Sequence, residues 1–197
     1  MSAKQASCWS VLFLLGLSVW VLVAVAGCNE GRDAGAIQPE TVTDYLHAVI
    51  EADRTFYTMQ VVERLQKQGK MVATEDWRVK HTLPLPAQFL KESSALAALT
   101  GTKVRYSLIG LYPINPHNAP HTEFEKKGLE QVELNPAQSY TGYVMDGTDR
   151  YFTAVYADRA VTAACVTCHN AHPGSSKKDF KLNDVMGAIV ISIPVTR

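Results

Sequence analysis

The apolar positions of this chain follow three different patterns along its length. Residues 11–27 form a nearly unbroken apolar run of 17 residues. Residues 31–39 are small or polar, which is typical of a flexible tether. Beyond Pro39 the apolar residues recur at the periods of helices and strands. The pattern therefore predicts a leading segment, a tether and one folded domain.

Two helices are predicted in the first half of the domain. Thr41 or Thr43 can cap the first helix, and Gly69 can end it. Between them, apolar residues recur at helical spacing: Leu46, Ile50, Tyr57, Val61 and Leu65. The second helix is predicted from Pro86, a residue that suits a first helical turn, to Gly101.

The second half of the domain carries strand patterns. Residues 103–112 and 186–195 are rich in apolar and β-branched residues. The dipeptide Asp146-Gly147 predicts a hairpin turn between strands at 140–145 and 150–156, because glycine tolerates positive φ. A helix over residues 122–134 is charged on most of its surface, and we expect it to be solvated. Together these elements predict an α+β domain in which the long N-terminal helix packs against an antiparallel sheet.

The charge of the chain excludes one class of partner. Its 197 residues include 19 basic and 19 acidic side chains, which balance to zero net charge. A nucleic-acid-binding domain needs a basic surface. We therefore expect no nucleic-acid partner.

The leading segment has the features of an export signal. Lys4 precedes the apolar run, which is short for a membrane span and long for a signal peptide. Its ending, Val-Ala-Gly-Cys at residues 25–28, resembles the bacterial lipobox, in which the cysteine is acylated after cleavage. The sequence thus predicts a lipoprotein signal peptide over residues 1–27, lipidation of Cys28 and a tether over residues 28–39. Asn29 favours the outer membrane, facing the periplasm; an uncleaved anchor helix is the alternative.

The strongest chemical signal is Cys-Val-Thr-Cys-His at residues 165–169. Cys-x-x-Cys-His is the attachment signature of a c-type haem. The thiols of Cys165 and Cys168 can each form a thioether with one porphyrin, and His169 can then bind the iron. With Cys8 in the signal and Cys28 acylated, no further cysteine remains for a disulfide scaffold. One covalent haem c is the predicted cofactor.

Two other interpretations use the same residues. A structural zinc site needs four ligands, and only a cramped set that includes His172 could supply them. A redox-active dithiol is expected where a strand enters a helix within a βαβ unit, and the sequence shows no such unit around the pair.

Three blocks of the chain are similar to a family of PAS-like single-haem c-type domains, found as free exported proteins and as sensory domains of bacterial kinases and cyclases. The blocks are Leu-Pro-Leu-Pro-Ala-Gln-Phe at 83–89, Asn-Pro-His-Asn-Ala-Pro at 115–120 and the stretch from Cys165 to Gly187. The resemblance extends from about Leu83 to the C-terminus and implies a PAS-like fold. Together with the helical pattern after the tether, it predicts a PAS-like c-type haem domain over residues 40–197. Four residues depart from the family pattern, and none of them is an attachment residue: Ser176, Phe180, Asn183 and Met186.

The resemblance also bears on the second axial ligand of the iron. It implies a cysteine thiolate from a helix upstream of the Asn-Pro loop, but residues 86–99 contain no Cys, Met or His. The iron is then five-coordinate or takes a ligand from elsewhere, with His81, Met59 and Met71 as candidates. His172 is a candidate hydrogen-bond partner for a haem propionate or a backbone group.

These residues support two functions. The first is a lipid-anchored monohaem cytochrome that transfers single electrons to a redox partner protein. The alternative is a haem sensor of redox state or of a small gas, which would act through a separate signalling partner. No distal His-Arg pair typical of a peroxidase can be recognised, so we expect no enzymatic activity.

Overall fold

The computed structural model describes residues 36–195. The predicted signal peptide, the lipidation site Cys28 and most of the tether lie outside the described residues. The helices are α1 (Pro39–Phe56), a π-helical segment (Tyr57–Glu63), α2 (Arg64–Lys67), α3 (Trp77–Lys80), α4 (Pro86–Ala98), a 3-10 turn (Pro116–Asn118), α5 (Glu123–Leu134) and α6 (Ala163–Ala171). The strands are β1 (Arg105–Ile109), β2 (Tyr140–Asp146), β3 (Asp149–Arg159) and β4 (Val185–Pro194).

Helix α1, the π segment and α2 run on as one long N-terminal helix over residues 39–67. It begins at Pro39 and not at Thr41 or Thr43, because the fixed φ of proline suits the first turn. Pro39, which the sequence assigned to the tether, is therefore helical. Thr43 is buried, and its hydroxyl donates a hydrogen bond to the Glu40 carbonyl. Gly69 follows the helix as predicted, with a φ of 63°.

The π segment interrupts the regular geometry of this helix. At its start, the Thr58 hydroxyl donates a 2.7 Å hydrogen bond to the carbonyl of Arg54, one turn earlier. A hydroxyl in that position competes with the backbone hydrogen bonds of the helix. Short π segments are rare in proteins and are frequent at functional sites. Thr58 and Val62 of the segment are both buried.

The four strands form one antiparallel sheet in the order β1-β4-β3-β2. The hairpin between β2 and β3 turns at Gly147, whose φ is 60°, as the sequence predicts. The central pair, β3 and β4, is the most deeply buried part of the sheet. A register shift between Asp158 and Arg159 bends the end of β3 where it pairs with the start of β4.

Helices cover both faces of the sheet. On one face, Ile50 of α1 and Leu90 of α4 pack against Phe152, Ile189 and other strand residues. On the other face, Leu129 and Val132 of α5 pack against Val155 and its neighbours. The prediction that α5 is a solvated helix is therefore wrong for one face, because these apolar residues lie one turn apart and share that face.

The α+β prediction is confirmed, since the long N-terminal helix packs on a four-stranded antiparallel sheet. Residues from Gln38 onward form one compact unit. Among the described residues, no helix is both long enough and apolar enough to cross a membrane.

Candidate functional site

A cavity of about 800 Å³ lies at one end of the sheet. Because the strands are antiparallel, the end of β1, the start of β4 and the end of β3 meet there. They contribute Ile109, Gly187 and Asp158 to the cavity wall. The remaining walls come mainly from the second half of the N-terminal helix, residues 73–76, Lys80 of α3, the start of α4, the 112–118 loop and α6.

Helix α6 brings the three residues of the predicted haem motif to this cavity. Cys165, Cys168 and His169 all line it. Their spacing of three and four residues places them on one side of a helix, so their side chains face the same space. Both cysteines are free thiols; Cys165 is half-buried and Cys168 is exposed.

His169 has the protonation state that a metal ligand requires. Burial lowers the pKa of its imidazole, and the charges of His172 and Arg54 lower this pKa further. The ring is therefore neutral at neutral pH, which is the form that binds metals. Its Nδ1 atom is buried and has no hydrogen-bond partner among the described residues.

Phe180 holds the His169 ring from one side. The two rings meet edge to face, with centroids 5.9 Å apart and planes at 88°. Asn170 positions Phe180 through two backbone hydrogen bonds. Its Nδ2 donates to the Phe180 carbonyl at 2.9 Å, and its Oδ1 accepts from the Phe180 amide at 3.0 Å. Asn170, the residue directly after the motif, thus positions Phe180, and Phe180 in turn packs against the His169 ring.

The Cys168 thiol does not have the electrostatics of a reactive nucleophile. Desolvation raises its pKa, and the charges of Cys165 and Glu75 raise this pKa further. A reactive cysteine has a lowered pKa, because the thiolate is the nucleophile. As for a directly bound metal, residues 36–195 contain no cluster of three or more His, Cys, Asp or Glu placed to hold one.

The N-terminal helix contributes Arg54, Thr58 and Val62 to the cavity, one turn apart along one face. Arg54 forms an ion pair with Asp158, with Nη2 donating to Oδ2 at 2.8 Å. Both residues are buried. Burial raises the pKa of Asp158 to about 6; Arg54 opposes this rise, and Glu51 adds to it. Arg54 Nε and Nη1 have no acceptor among the described residues.

The structure does not bring the sixth-ligand candidates to the cavity. Met59 and Met71 are each 40% exposed, and His81 ends α3 in a left-handed conformation at the surface. None of the three lines the cavity. His172 does line it, and its Nδ1 accepts a 3.1 Å hydrogen bond from the Gly174 amide.

The cavity residues that sequence reasoning missed include Arg54, its partner Asp158 and Met186. Arg54 sits between Asp53 and Thr55 on a charged helix, and nothing local distinguishes it from a solvated residue. Met186, noted only as a departure from the family pattern, also borders the cavity. Its position two residues into β4, beside Gly187, could have drawn attention to it.

The residues around the cavity fit a haem. The volume lies within the range of roughly 300–1,000 Å³ that small-molecule and cofactor sites occupy. Two thiols, a neutral imidazole and apolar walls are the chemistry that a covalently attached porphyrin needs. The unpartnered donors of Arg54 and the unpartnered Nδ1 of His169 are polar atoms that a bound cofactor with carboxylates and a metal would complete.

A family model named Tll0287-like matches residues 36–194. The chain belongs to the Tll0287-like family. This match confirms the family resemblance that the sequence motifs indicate. Among solved structures, the crystal structure of the cyanobacterial heme-protein Tll0287 is similar at 19% identity, covering 82% of this chain and 99% of that chain with a TM-score of 0.49. A comparison with curated proteins found no match.

Proposed function

We propose that this member of the Tll0287-like family is a non-enzymatic haem protein that transfers single electrons. One haem c would be bound covalently through Cys165 and Cys168. The observation that carries the proposal is the convergence of Cys165, Cys168 and His169 on one cavity of about 800 Å³. Membership of the family adds support, since Tll0287 is itself described as a heme-protein.

Each motif residue has a distinct role in this proposal. The thiols of Cys165 and Cys168 anchor the cofactor, and the neutral imidazole of His169 donates to the iron. A bound haem supplies a one-electron couple whose potential depends on its axial ligands, hydrogen bonds and burial. Phe180 and Asn170 keep the His169 ring in one orientation. The apolar walls exclude water from the cofactor.

The covalent attachment motif supports electron transfer over the alternative function. Cys165 and Cys168 both line the cavity and could hold one haem there permanently. A permanently bound haem can exchange single electrons with a redox partner protein without entry of a substrate.

A haem-based sensor is the second candidate, and the wall formed by the N-terminal helix favours it. Among the described residues, this wall contains no His, Cys, Met or Tyr, the usual axial ligands of haem iron. Its residues are Arg54, Thr58, Val62, Glu63, Gln66 and Lys67. A site with an open axial position could bind a small gas, and the protein would then signal through a separate partner. The coordination state of the iron separates the two functions.

We further propose that the protein is exported and anchored to the outer membrane through Cys28, facing the periplasm. The lipobox-like ending of the leading apolar run supports this. Replacing Cys28 by alanine should move the protein out of the membrane fraction or leave its signal uncleaved. An unchanged membrane fraction with the mature size intact would contradict lipidation.

The decisive experiment is the absorption spectrum of the protein made in a host competent for c-haem maturation. It should be recorded oxidised and reduced, with and without carbon monoxide. The paired change Cys165→Ala, Cys168→Ala should abolish covalent haem, measured on a denaturing gel, and His169→Ala should alter the iron's ligation. His121→Ala is the matched control, because His121 is exposed and does not line the cavity.

The outcomes separate the candidates. Covalent haem in the double cysteine variant, or none in the wild type, would contradict the haem proposal. A low-spin spectrum indifferent to carbon monoxide means a closed six-coordinate iron and an electron carrier, and Met186→Leu then tests Met186 as the second ligand. A high-spin spectrum that shifts with carbon monoxide means an open iron and favours the sensor.

A further inference from the structure

Arg54 is a buried cation, and only some of its hydrogen-bond donors have an acceptor among the described residues. The residue is 6% exposed and lines the same cavity as Cys165 and His169. Nη2 donates to Asp158, whereas Nε and Nη1 have no acceptor among the described residues. Arginine cannot lose its proton in a protein, so its unused donors cannot be removed by titration.

Unused donors of this kind need an acceptor. Leaving a buried charged donor without a partner is costly, and buried polar groups in native proteins nearly always have one. The guanidinium presents its donors as a planar fork, which matches the oxygens of a carboxylate or a similar anion. Asp158 uses one side of this fork and positions it. The remaining donors belong to a buried side chain that lines the cavity.

We propose that Arg54, held in place by Asp158, binds an anionic oxygen group inside the cavity. This rests on the proposed function, because the anion is either a carboxylate of the haem or a small oxyanion that binds at the open face of its iron. Either source presents oxygen atoms that can accept a hydrogen bond from Nε on one edge of the guanidinium or from Nη1 on the other. Arg54 is thus a binding residue of the site, and Asp158 is a positioning residue.

The charge balance of the cavity is compatible with this role. Asp158 is fully buried, and burial raises its pKa to about 6 despite the nearby Arg54. A second anion on Arg54 would favour protonation of Asp158 further, because like charges disfavour each other's ionised forms. Arg54 can therefore bind an added anion while Asp158 becomes protonated. Two ionised carboxylates then do not lie beside one guanidinium.

The test uses the haem-loaded protein with Arg54→Lys and Arg54→Gln. Arg54→Lys keeps the charge and removes the fork, and Arg54→Gln removes both. The paired change Arg54→Met, Asp158→Leu covers the case in which a lone buried carboxylate prevents folding. Arg105→Gln is the matched control, because Arg105 forms an exposed 2.8 Å ion pair with Asp146 and does not line the cavity. Covalent haem content is measured in every sample.

Two measurements distinguish the sources of the anion. The first is the infrared band and pKa of haem carboxylates labelled with carbon-13. If Arg54 binds a haem carboxylate, Arg54→Gln shifts that band and raises the carboxylate pKa, because a neighbouring cation is lost. The second is the affinity of ferric haem for nitrite compared with neutral imidazole. If Arg54 binds a small oxyanion, Arg54→Gln lowers the affinity for nitrite roughly tenfold or more and leaves the affinity for imidazole unchanged.

Either result supports the proposal and identifies the anion. A haem-loaded protein in which all three Arg54 variants match Arg105→Gln in both measurements would overturn this proposal alone. A wild-type protein without haem would overturn the proposed function as well. The carboxylate pKa or the nitrite affinity measured for Arg54→Lys should lie between the values for wild type and Arg54→Gln, since lysine keeps the charge but offers no planar fork.

Discussion

Arg54 and Asp158, which are 104 residues apart in the sequence, form a buried ion pair at 2.8 Å beside the cavity. Arg54 belongs to the N-terminal helix, and Asp158 lies near the end of β3, where the register of the sheet shifts. The pair therefore connects the helix that forms one cavity wall to the strand that forms another. Its removal should affect both the stability of the domain and the shape of the site.

Replacing only one residue of this ion pair should lower the free energy of unfolding substantially. We expect Arg54→Met or Asp158→Leu alone to lower the free energy of unfolding by about 3 kcal/mol or more, because each leaves an uncompensated buried charge. The double change should cost less than the sum of the two. Denaturant unfolding of the four proteins measures the coupling. The exposed pair Arg105 and Asp146 serves as a control, for which about 1 kcal/mol or less is expected. Strictly additive effects at Arg54 and Asp158 would contradict the prediction.

Asp158 should also make stability depend on pH. Its pKa in the folded protein is about 6, above the ordinary value of 3.8, so the folded state binds the proton more tightly than the unfolded state. The stabilising contribution is present below about pH 4 and is lost as the pH rises through 6. Relative to Asp158→Asn, the wild type should lose on the order of 3 kcal/mol between pH 4 and pH 7.

Denaturant unfolding at several pH values measures this difference. Asp149→Asn is the control, because a hydrogen bond from Lys103 lowers the pKa of that exposed carboxyl and its pH dependence has the opposite sign. A wild type and an Asp158→Asn variant with parallel pH profiles would show that Asp158 titrates normally.

Gly187→Ala should disturb the end of the sheet that borders the cavity. A Cβ on Gly187 would collide with the backbone carbonyl oxygen of Ile109 on the neighbouring strand. Since backbone cannot move aside as a side chain can, we expect a loss of about 1–3 kcal/mol in the free energy of unfolding. Gly142→Ala is the comparison, because its Cβ would meet only the ring of Phe124 at 2.8 Å, and that ring can shift. An equal or smaller loss for Gly187→Ala would count against this reasoning.

Asn170→Ala should release Phe180 from the His169 ring. The change removes the two hydrogen bonds that hold the Phe180 backbone, at an expected cost of about 1–3 kcal/mol. Amide hydrogen exchange at Phe180 should become faster, because its N–H loses its acceptor. Asn135→Ala, which removes an exposed hydrogen bond to Gln138, should leave that exchange rate unchanged. An unaltered rate of amide exchange at Phe180 in the Asn170→Ala variant would show that Asn170 does not hold the Phe180 backbone.

The sequence predicted elements well where a single local signal decides the conformation. Gly69 ends the N-terminal helix and Gly147 turns the hairpin, because each adopts a positive φ that other residues rarely take. Pro86 begins α4, and Thr122 caps α5 by accepting a hydrogen bond from the Glu125 amide. These outcomes depend on steric preferences and hydrogen bonds within a few residues.

Prediction failed where partners lie far apart in the chain. Helix α5 was expected to be solvated because half of its residues are charged, yet its apolar face covers one side of the sheet. Met59 and Met71 were ligand candidates by residue type alone, and packing left both exposed and away from the cavity. A local pattern indicates which residues share a face, but it does not indicate what that face will meet.

By itself, the sequence determined the arrangement of Cys165, Cys168 and His169 relative to one another, since helix geometry brings residues three and four apart to one side. It also determined the α+β class through the periods of its apolar residues. Only the tertiary structure decided that these three residues border a large cavity. It alone placed Arg54, Asp158 and Met186 around the same space. The physical reason is that a cavity is the gap left between packed elements, so its walls come from segments that are neighbours only after folding.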